Sequence, residues 1–115
     1  MKFPKYYIGP MSKNVVDSVI KHSHKHLIGF IPSRRQIDFS GGYVNHWNTA
    51  TFIKYVRSKK SKAIICRDHG GELQGAEKDD GYDSFLSDIK YFDLIHIDPF
   101  RVCKDMKDAA LQTIK

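Results

Sequence analysis

The stretch AIICRDHGG, residues 63–71, decides the fold, because a run of aliphatic residues ends abruptly in Arg, Asp, His and two glycines. Strands of a parallel α/β sheet read as apolar runs, and ligands bind beyond their carboxyl ends. The same order recurs in LIGFIPSRR at 27–35 and in LIHIDP at 94–99. We therefore predict three parallel strands whose polar tips meet at one rim of a single sheet.

Helical periodicity separates these strands. The predicted helices lie at 11–25, from Asn48 or Thr49 onward, at 82–92 and at 103–115. In the helix at 82–92, Phe85, Leu86 and Ile89 are expected to face the core. An N-terminal helix followed by three βα units with right-handed crossovers makes an α/β fold with a parallel sheet.

The length of 115 residues limits the architecture. It suffices for one small domain with its own core, but a closed (β/α)8 barrel takes about 250 residues. If the strand pattern is that of a barrel, residues 1–115 are a single N-terminal segment of an incomplete barrel. Because three strands alone leave two unpaired edges, we expect another copy or further sequence to complete the sheet.

The composition is typical of a folded globular protein, with 41% hydrophobic and 28% charged residues. No apolar run approaches the ~20 residues of a membrane span, and the start MKFPKYYIGP lacks the apolar core of a signal peptide. We therefore expect a cytoplasmic protein without membrane contact. Cys66 and Cys103 lie far apart, and we interpret them as unpaired thiols in a reducing compartment.

The net charge of +6 raises the alternative of a small basic nucleic-acid-binding domain. The basic residues are spread along the chain, however, and the run RSKKSK at 57–62 falls where a helix should end and where cations complement the helix dipole. Nucleic acid is therefore the disfavoured partner. His22, His24 and His26 are assigned to a solvated helix end, because an i, i+2 spacing turns side chains to different faces of a helix.

Two features follow the strand at 27–31. Arg34 and Arg35 would project near the rim, where paired guanidinium groups suit an anionic small molecule such as a sugar phosphate; a solvated turn is the alternative. Gly41 and Gly42 allow the backbone to approach a ligand closely, and a mere connecting loop is the alternative. We name all four as candidate substrate-binding residues.

The other two strands end in ionisable residues. Asp68 and His69 are either a pair that carries chemistry or a hydrogen-bonded pair that locks the turn after the strand. His96, inside the last strand, is interpreted as a buried core histidine. Asp98 lies two residues further on and faces the same side of the strand. It either starts a turn before Pro99 or binds substrate hydroxyl groups.

Taken in order, IPSRRQIDFSGGYVNHW, CRDHGG and DDGYDSFLSDIKYFDLIHIDP resemble the N-terminal part of one barrel family. These are the class II aldolase-like barrels related to the accessory, non-catalytic subunit of class II tagatose-bisphosphate aldolase, which have a GGY loop, a strand ending in GDH and a strand reading IHLD. The resemblance covers about 27–99, with Arg67 where that pattern has Gly. It implies a partial (β/α)8 TIM barrel, a role in carbohydrate metabolism and a site at the carboxyl ends of the strands.

The resemblance also implies roles for the Asp-His pair. Asp68 would be the catalytic acid/base group and His69 a ligand of Zn²⁺, which polarises the carbonyl of a phosphorylated ketose while the carboxylate moves a proton. The implied function is a metal-assisted carbon-carbon lyase acting on a ketose bisphosphate. This segment alone is expected to be inactive, because the remaining zinc ligands of that group come from later strands. The alternative is a non-catalytic subunit that stabilises a partner aldolase, or a homo-oligomer.

Overall fold

A computed structural model of the chain describes residues 2–114 and shows an α/β fold with one parallel sheet. The sheet has four strands in the order β1-β2-β3-β4, at Tyr7–Ile8, Gly29–Phe30, Ile64–Gly70 and Leu94–Ile97. The three predicted strands are confirmed, and every pair is parallel. The prediction that a helix opens the fold is wrong, because β1 precedes it. Two residues are too few to leave a periodic signal.

Within the described residues, the helices are α1 at Lys13–Ser23, α2 at Thr49–Ser58, α3 at Tyr82–Tyr91 and α4 at Met106–Ile114, with a short 3-10 helix at Phe100–Val102. Ser12 caps α1, since its Oγ accepts the backbone N–H of Val15 at 3.3 Å. Asn48 caps α2 and forms a capping box with Thr51. Lys115, the end of the last predicted helix, lies outside the described residues.

The hydrophobic core lies between the helices and one face of the sheet. Residues side by side in a parallel ladder point to the same face, and Phe30 pairs with Ile65 on the helical side. The other main core residues are Val16, Val19, Ile20, Phe52 and Val56, from α1 and α2. Gly29 and Ile64 pair on the opposite face. The fold therefore carries a helical layer on one face of the sheet, and the carboxyl ends of its strands share one rim.

Helix α3 packs on β3 through polar residues. Leu86 and Ile89 are 52% and 70% exposed, so the prediction that they face the core is wrong. The buried residues of α3 are Ser84 and Asp88. Arg67 is the reason, because it projects from β3 on the helical side and donates to both carboxylate oxygens of Asp88, at 3.0 and 2.9 Å. A buried cation on the sheet requires a carboxylate on the helix that covers it.

Arg67, Asp88 and Thr49 form what we call the buried polar cluster. Arg67 Nη1 donates to the Pro32 carbonyl at 3.0 Å, and Nη2 donates to Thr49 Oγ1 at 3.4 Å. The guanidinium also lies 4.5 Å from the ring centroid of Phe92. The cluster thus ties α2, α3 and the end of β2 to β3, and it points the next side chain of the strand to the other face of the sheet.

Three remaining sequence features concern membrane contact, cysteine pairing and the histidine tract. In residues 2–114, no helix combines the length and apolarity needed to cross a bilayer. Both cysteines are free thiols, as predicted. His22, His24 and His26 are exposed near the end of α1, and His22 and His26 stack with ring centroids 4.4 Å apart. This arrangement agrees with a solvated helix end.

Candidate functional site

The polar ends of β2, β3 and β4 converge on one rim, as predicted. The backbone N–H of Asp68 donates to the carbonyl of Pro32 at 3.0 Å, and that of Asp98 donates to the carbonyl of Gly70 at 2.8 Å. The segments beyond the strands border a cavity of about 570 Å³, a volume typical of small-molecule sites. Its lining residues are Ser33, Arg34, Arg35, His69, Gln74, Asp98, Phe100 and Arg101.

Strand β3 is irregular at its carboxyl end. Cys66 and Arg67 pair regularly with β4, but the register shifts before Gly70, and His69 has a left-handed φ of 48°. In a regular strand, His69 would point with Arg67 to the helical side. The bulge turns its imidazole to the side of Asp68 instead, so two consecutive side chains reach the same rim.

Four ionisable side chains at this rim form what we call the rim cluster: Asp68, His69, His96 and Asp98. Asp68 Oδ1 lies 3.4 Å from His69 Nε2 and 3.6 Å from His96 Nδ1. The other ring nitrogen of His69, Nδ1, lies 2.5 Å from Asp98 Oδ2. None of the four is buried, and two of them, His69 and Asp98, line the cavity.

Asp98 orients His69. Burial alone would raise the pKa of the Asp98 carboxyl, but hydrogen bonds from His69 and from the backbone N–H of Phe100 hold that pKa below its ordinary value of 3.8. Asp98 is therefore ionised at neutral pH, and its hydrogen bond requires the proton on His69 Nδ1. The turn that Asp98 was expected to start is the 3-10 helix. Its contact with substrate hydroxyl groups stays a prediction.

With its proton on Nδ1, a neutral His69 presents the lone pair of Nε2 to Asp68. An imidazole nitrogen and a carboxylate oxygen 3.4 Å apart are then two acceptors that face each other. This is unfavourable unless a proton or a cation lies between them. His96 turns its Nδ1 toward the same Asp68 oxygen, and the lone pair of that nitrogen accepts the backbone N–H of His69 at 3.3 Å, a hydrogen bond that metal ligation through Nδ1 would replace. The cluster thus concentrates electron pairs at one point of the rim.

Asp68, His69 and His96 form a group that could hold a metal ion. Their ligand atoms all lie within 4.8 Å of one another. Tetrahedral zinc, with bonds of about 2.0–2.1 Å, places neighbouring ligand atoms about 3.3 Å apart, close to the 3.4 and 3.6 Å found here. Two imidazoles and one carboxylate are the donor set of some catalytic zinc sites and of non-haem iron sites, which keep positions free for water or substrate. Asp98 accepts the hydrogen bond that the far ring N–H of a ligating histidine donates in such sites.

The interpretation of His96 as a buried core histidine is wrong. Its side chain is 50% exposed, because β4 is an edge strand of the sheet and His96 points away from the helical layer. It does face the same side as Asp98, as predicted, and both contact His69. That spacing, on a strand next to one that ends in Asp68 and His69, is the sequence signal that assigns His96 to the site.

Arg34 is a structural part of the cavity wall. It is 2% exposed, and its five N–H groups donate to both carboxylate oxygens of Asp38, both of Asp79 and the carbonyl of Gly71 at 2.6–3.2 Å. Burial would lower the pKa of Arg34 and raise that of Asp79, but the hydrogen bonds between them reverse both shifts. With every N–H engaged, Arg34 has no donor for the substrate phosphate predicted for it. It fastens the loop after β3 to the segment after β2.

Arg35 and Arg101 line the cavity and have no carboxylate partner among the described residues. Both are exposed, and within residues 2–114 neither lies within 4.0 Å of a carboxylate. Gln74 completes this side, because its Nε2 donates to the carbonyl of Asp98 at 3.2 Å. Sequence reasoning names Arg35 but misses Arg101 and Gln74, since isolated polar residues in irregular segments leave no periodic pattern.

Gly41 and Gly42 do not line the cavity. A Cβ at Gly42 would collide with the carbonyl of Gln36, and Gly41 has a φ of 102° in a turn closed by its N–H to the carbonyl of Asp38 at 3.0 Å. The close backbone approach is therefore made by Gly42 to the chain itself, whereas Gly41 serves the turn through its positive φ. This is a structural use of the two glycines.

Comparison of the chain with family models, with curated proteins and with solved structures finds no significant match. The family resemblance of residues 27–99 therefore rests on its motifs alone. The rim cluster and the cavity beside it are the features of the molecule that bear on its function.

Proposed function

We propose that the chain is the N-terminal part of an aldolase-like (β/α)8 barrel that binds a divalent metal ion, Zn²⁺ first of all, and acts on a phosphorylated ketose. The single observation that carries this proposal is the rim cluster, with Asp68, His69 and His96 at metal-ligand spacing and Asp98 orienting His69. The cluster stands at the carboxyl ends of parallel strands beside a cavity of about 570 Å³, which suits a sugar phosphate.

The strand order supports the barrel. In a barrel, consecutive strands are neighbours and the helices form one outer layer, whereas a doubly wound sheet reverses its strand order. The order β1-β2-β3-β4 follows the first pattern. The edge strand β4 and the exposed Leu86, Ile89 and Ile97 offer the surface that a further βα unit would cover.

The proposed chemistry is proton transfer beside a ketose carbonyl with cleavage of a carbon-carbon bond. Bound Zn²⁺ supplies Lewis acidity toward the carbonyl oxygen. Asp98 keeps the proton on His69 Nδ1 and so leaves Nε2 free as a ligand. Asp68 turns Oδ1 toward the two imidazoles, and its Oδ2 has no hydrogen-bond donor among the described residues. That oxygen is free to take the proton of a substrate hydroxyl and to return it to the released fragment.

Metal titration tests the proposal. Calorimetry should show one Zn²⁺ per chain, and Co²⁺ should give the visible absorption of a tetrahedral site. His69→Ala and His96→Ala should each weaken Zn²⁺ binding by more than the roughly 100-fold that loss of an outer partner costs. His24→Ala, at the exposed end of α1, is the matched control and should bind as the wild type does. Equal Zn²⁺ affinities of His96→Ala and the wild type would contradict the proposed metal site.

A non-catalytic subunit is the second candidate, because Leu86, Ile89 and Ile97 expose apolar surface that also suits a partner protein. The zinc-loaded chain should be assayed on a ketose bisphosphate alone and together with a catalytic class II aldolase subunit. Cleavage by the chain alone that is lost in Asp68→Asn supports the enzyme. A higher Tm of the partner that survives Asp68→Asn but is lost in Ile89→Glu supports the accessory role. Absence of the rise in Tm would contradict the accessory role. Absence of cleavage by this segment alone is what an incomplete barrel predicts, so the metal titration decides the enzyme candidate.

A further inference from the structure

We propose that Arg35 and Arg101 form a phosphate-binding subsite at the end of the cavity that lies beside the rim cluster. This inference rests on the proposed function, in that it says how the phosphate of a phosphorylated ketose is held. It assigns the phosphate to Arg35 and Arg101 instead of Arg34. No sequence pattern indicates Arg101.

The charged residues that line the cavity are not balanced. Arg34 shares its five N–H groups with two carboxylates and a carbonyl, so its charge is compensated within the wall. Asp98 is the one carboxylate among the lining residues, and it is already bonded to His69. Arg35 and Arg101 therefore leave two positive charges without a carboxylate partner among the residues that line one cavity. Such an arrangement selects an anion.

The two arginines lie on different segments that border the cavity, and the backbone of each segment is held in place. Arg35 follows β2, and Arg101 lies in the 3-10 helix that follows β4, so they approach the cavity from two of the segments that border it. The backbone of Arg35 is held, because its carbonyl accepts the N–H of Tyr43 at 3.1 Å. The 3-10 helix is held as well, because Asp98 Oδ1 accepts the N–H of Phe100 at 2.9 Å. Both backbones are thus positioned before a ligand arrives.

Asp98 links the subsite to the chemistry. One of its carboxylate oxygens positions the helix that carries Arg101, and the other orients His69. A ligand whose phosphate lies on the arginines therefore has its remaining atoms beside the rim cluster. A monoester phosphate fits guanidinium geometry bidentately. A cavity with two free cations suits one small dianion, whereas a polynucleotide requires an extended basic surface.

Phosphate titration of the zinc-free chain tests the subsite. Chemical shifts in NMR spectra should report binding of inorganic phosphate and of fructose 1,6-bisphosphate, and no binding of fructose at the same concentrations. Arg35→Gln and Arg101→Gln should each weaken the bisphosphate by about tenfold or more, as expected for loss of a charge-assisted bidentate contact. Lys54→Gln removes one exposed charge from α2 and is the matched control. Circular dichroism should show all variants folded.

Three outcomes would overturn the subsite: wild-type affinity in the Arg35→Gln/Arg101→Gln double variant, equal weakening by Lys54→Gln, or tighter binding of a single-stranded oligonucleotide than of the bisphosphate.

Zinc titration separates this inference from the proposed function. The double variant should bind Zn²⁺ as the wild type does, and His69→Ala should still bind phosphate. In the wild-type chain, zinc binding without phosphate binding contradicts the subsite, whereas phosphate binding without zinc binding contradicts the metal site and leaves the subsite standing.

Discussion

Arg67 and Asp68 are neighbours on β3, but they belong to polar clusters of opposite kinds on opposite faces of the sheet. In the buried polar cluster, the guanidinium of Arg67 and the carboxylate of Asp88 are fully paired and shielded from solvent. In the rim cluster, the carboxylate of Asp68 and Nε2 of His69 face each other in the open. Complete pairing with burial indicates a structural use of charge, and unpaired lone pairs with exposure indicate a ligand site.

The same contrast separates Arg34 from Arg35. Arg34 is buried with all its donors engaged, whereas Arg35 is exposed and has no carboxylate partner among the described residues. Two identical side chains in succession thus serve the wall and the interior of one cavity. Residue type alone does not distinguish these roles, because both depend on where acceptors from other segments lie.

The largest effect is expected from breaking the buried polar cluster. Asp88→Ala leaves the guanidinium of Arg67 buried without its carboxylate, and loss of one partner of a buried ion pair costs about 3–5 kcal/mol. Chemical denaturation should show this loss in the free energy of unfolding.

The double variant Arg67→Met/Asp88→Leu is the control for that prediction. Apolar residues of similar volume often replace a buried ion pair without loss of stability, so the double variant should recover most of the free energy of unfolding. A loss below about 1 kcal/mol in Asp88→Ala, a size typical of exposed ion pairs, would show that Arg67 is not buried as described.

A smaller effect, on binding rather than folding, is expected from Asp98→Asn. The amide no longer fixes the proton on His69 Nδ1, and loss of such an outer partner weakens metal binding by about 10–100-fold. Zinc titration measures the change. Unaltered affinity would mean that Asp98 only starts the 3-10 helix and does not orient His69.

Low pH should lower the stability of the fold through Asp79, which pairs with Arg34 in the cavity wall. Burial would raise the pKa of Asp79, but hydrogen bonds from Arg34 bring it below its ordinary 3.8. A carboxyl with a lowered folded-state pKa stabilises the fold fully above its unfolded pKa, and this contribution is lost as the pH falls through the folded value. Stability should therefore fall below about pH 4, and less steeply in Asp79→Asn, which does not titrate there. Parallel curves of Tm against pH for the two proteins would contradict the expectation.

The smallest effect is expected on the exposed face of α3. Leu86→Gln should change the free energy of unfolding of the isolated chain by no more than about 0.5 kcal/mol, as is usual for surface positions. Denaturation under the conditions used for Asp88→Ala provides the comparison. A loss of about 2 kcal/mol or more would show that Leu86 is buried after all, as its helical spacing alone predicts.

Whether an element could be predicted from the sequence depends on whether its residues form a pattern within a short stretch of the chain. A continuous apolar run marks a strand along its length, so the runs at 63–66 and 94–97 predict their strands, whereas the two residues of β1 leave no pattern. The spacing of Leu86 and Ile89 predicts a buried face. The paired charges of Arg67 and Asp88 override it, because a buried cation without a carboxylate costs more than apolar surface left in water.

The sequence alone determined the α/β class, the parallel direction of the strands and the gathering of Arg34, Asp68 and Asp98 at one rim, because these follow from local patterns and from the direction of the chain. Only the tertiary structure decided which charges are paired and which are free. Arg34 meets Asp79 across 45 positions of the chain, and the bulge in β3 brings His69 to Asp98 across 29. Such pairings depend on distances between remote segments, and no local pattern of residues encodes them.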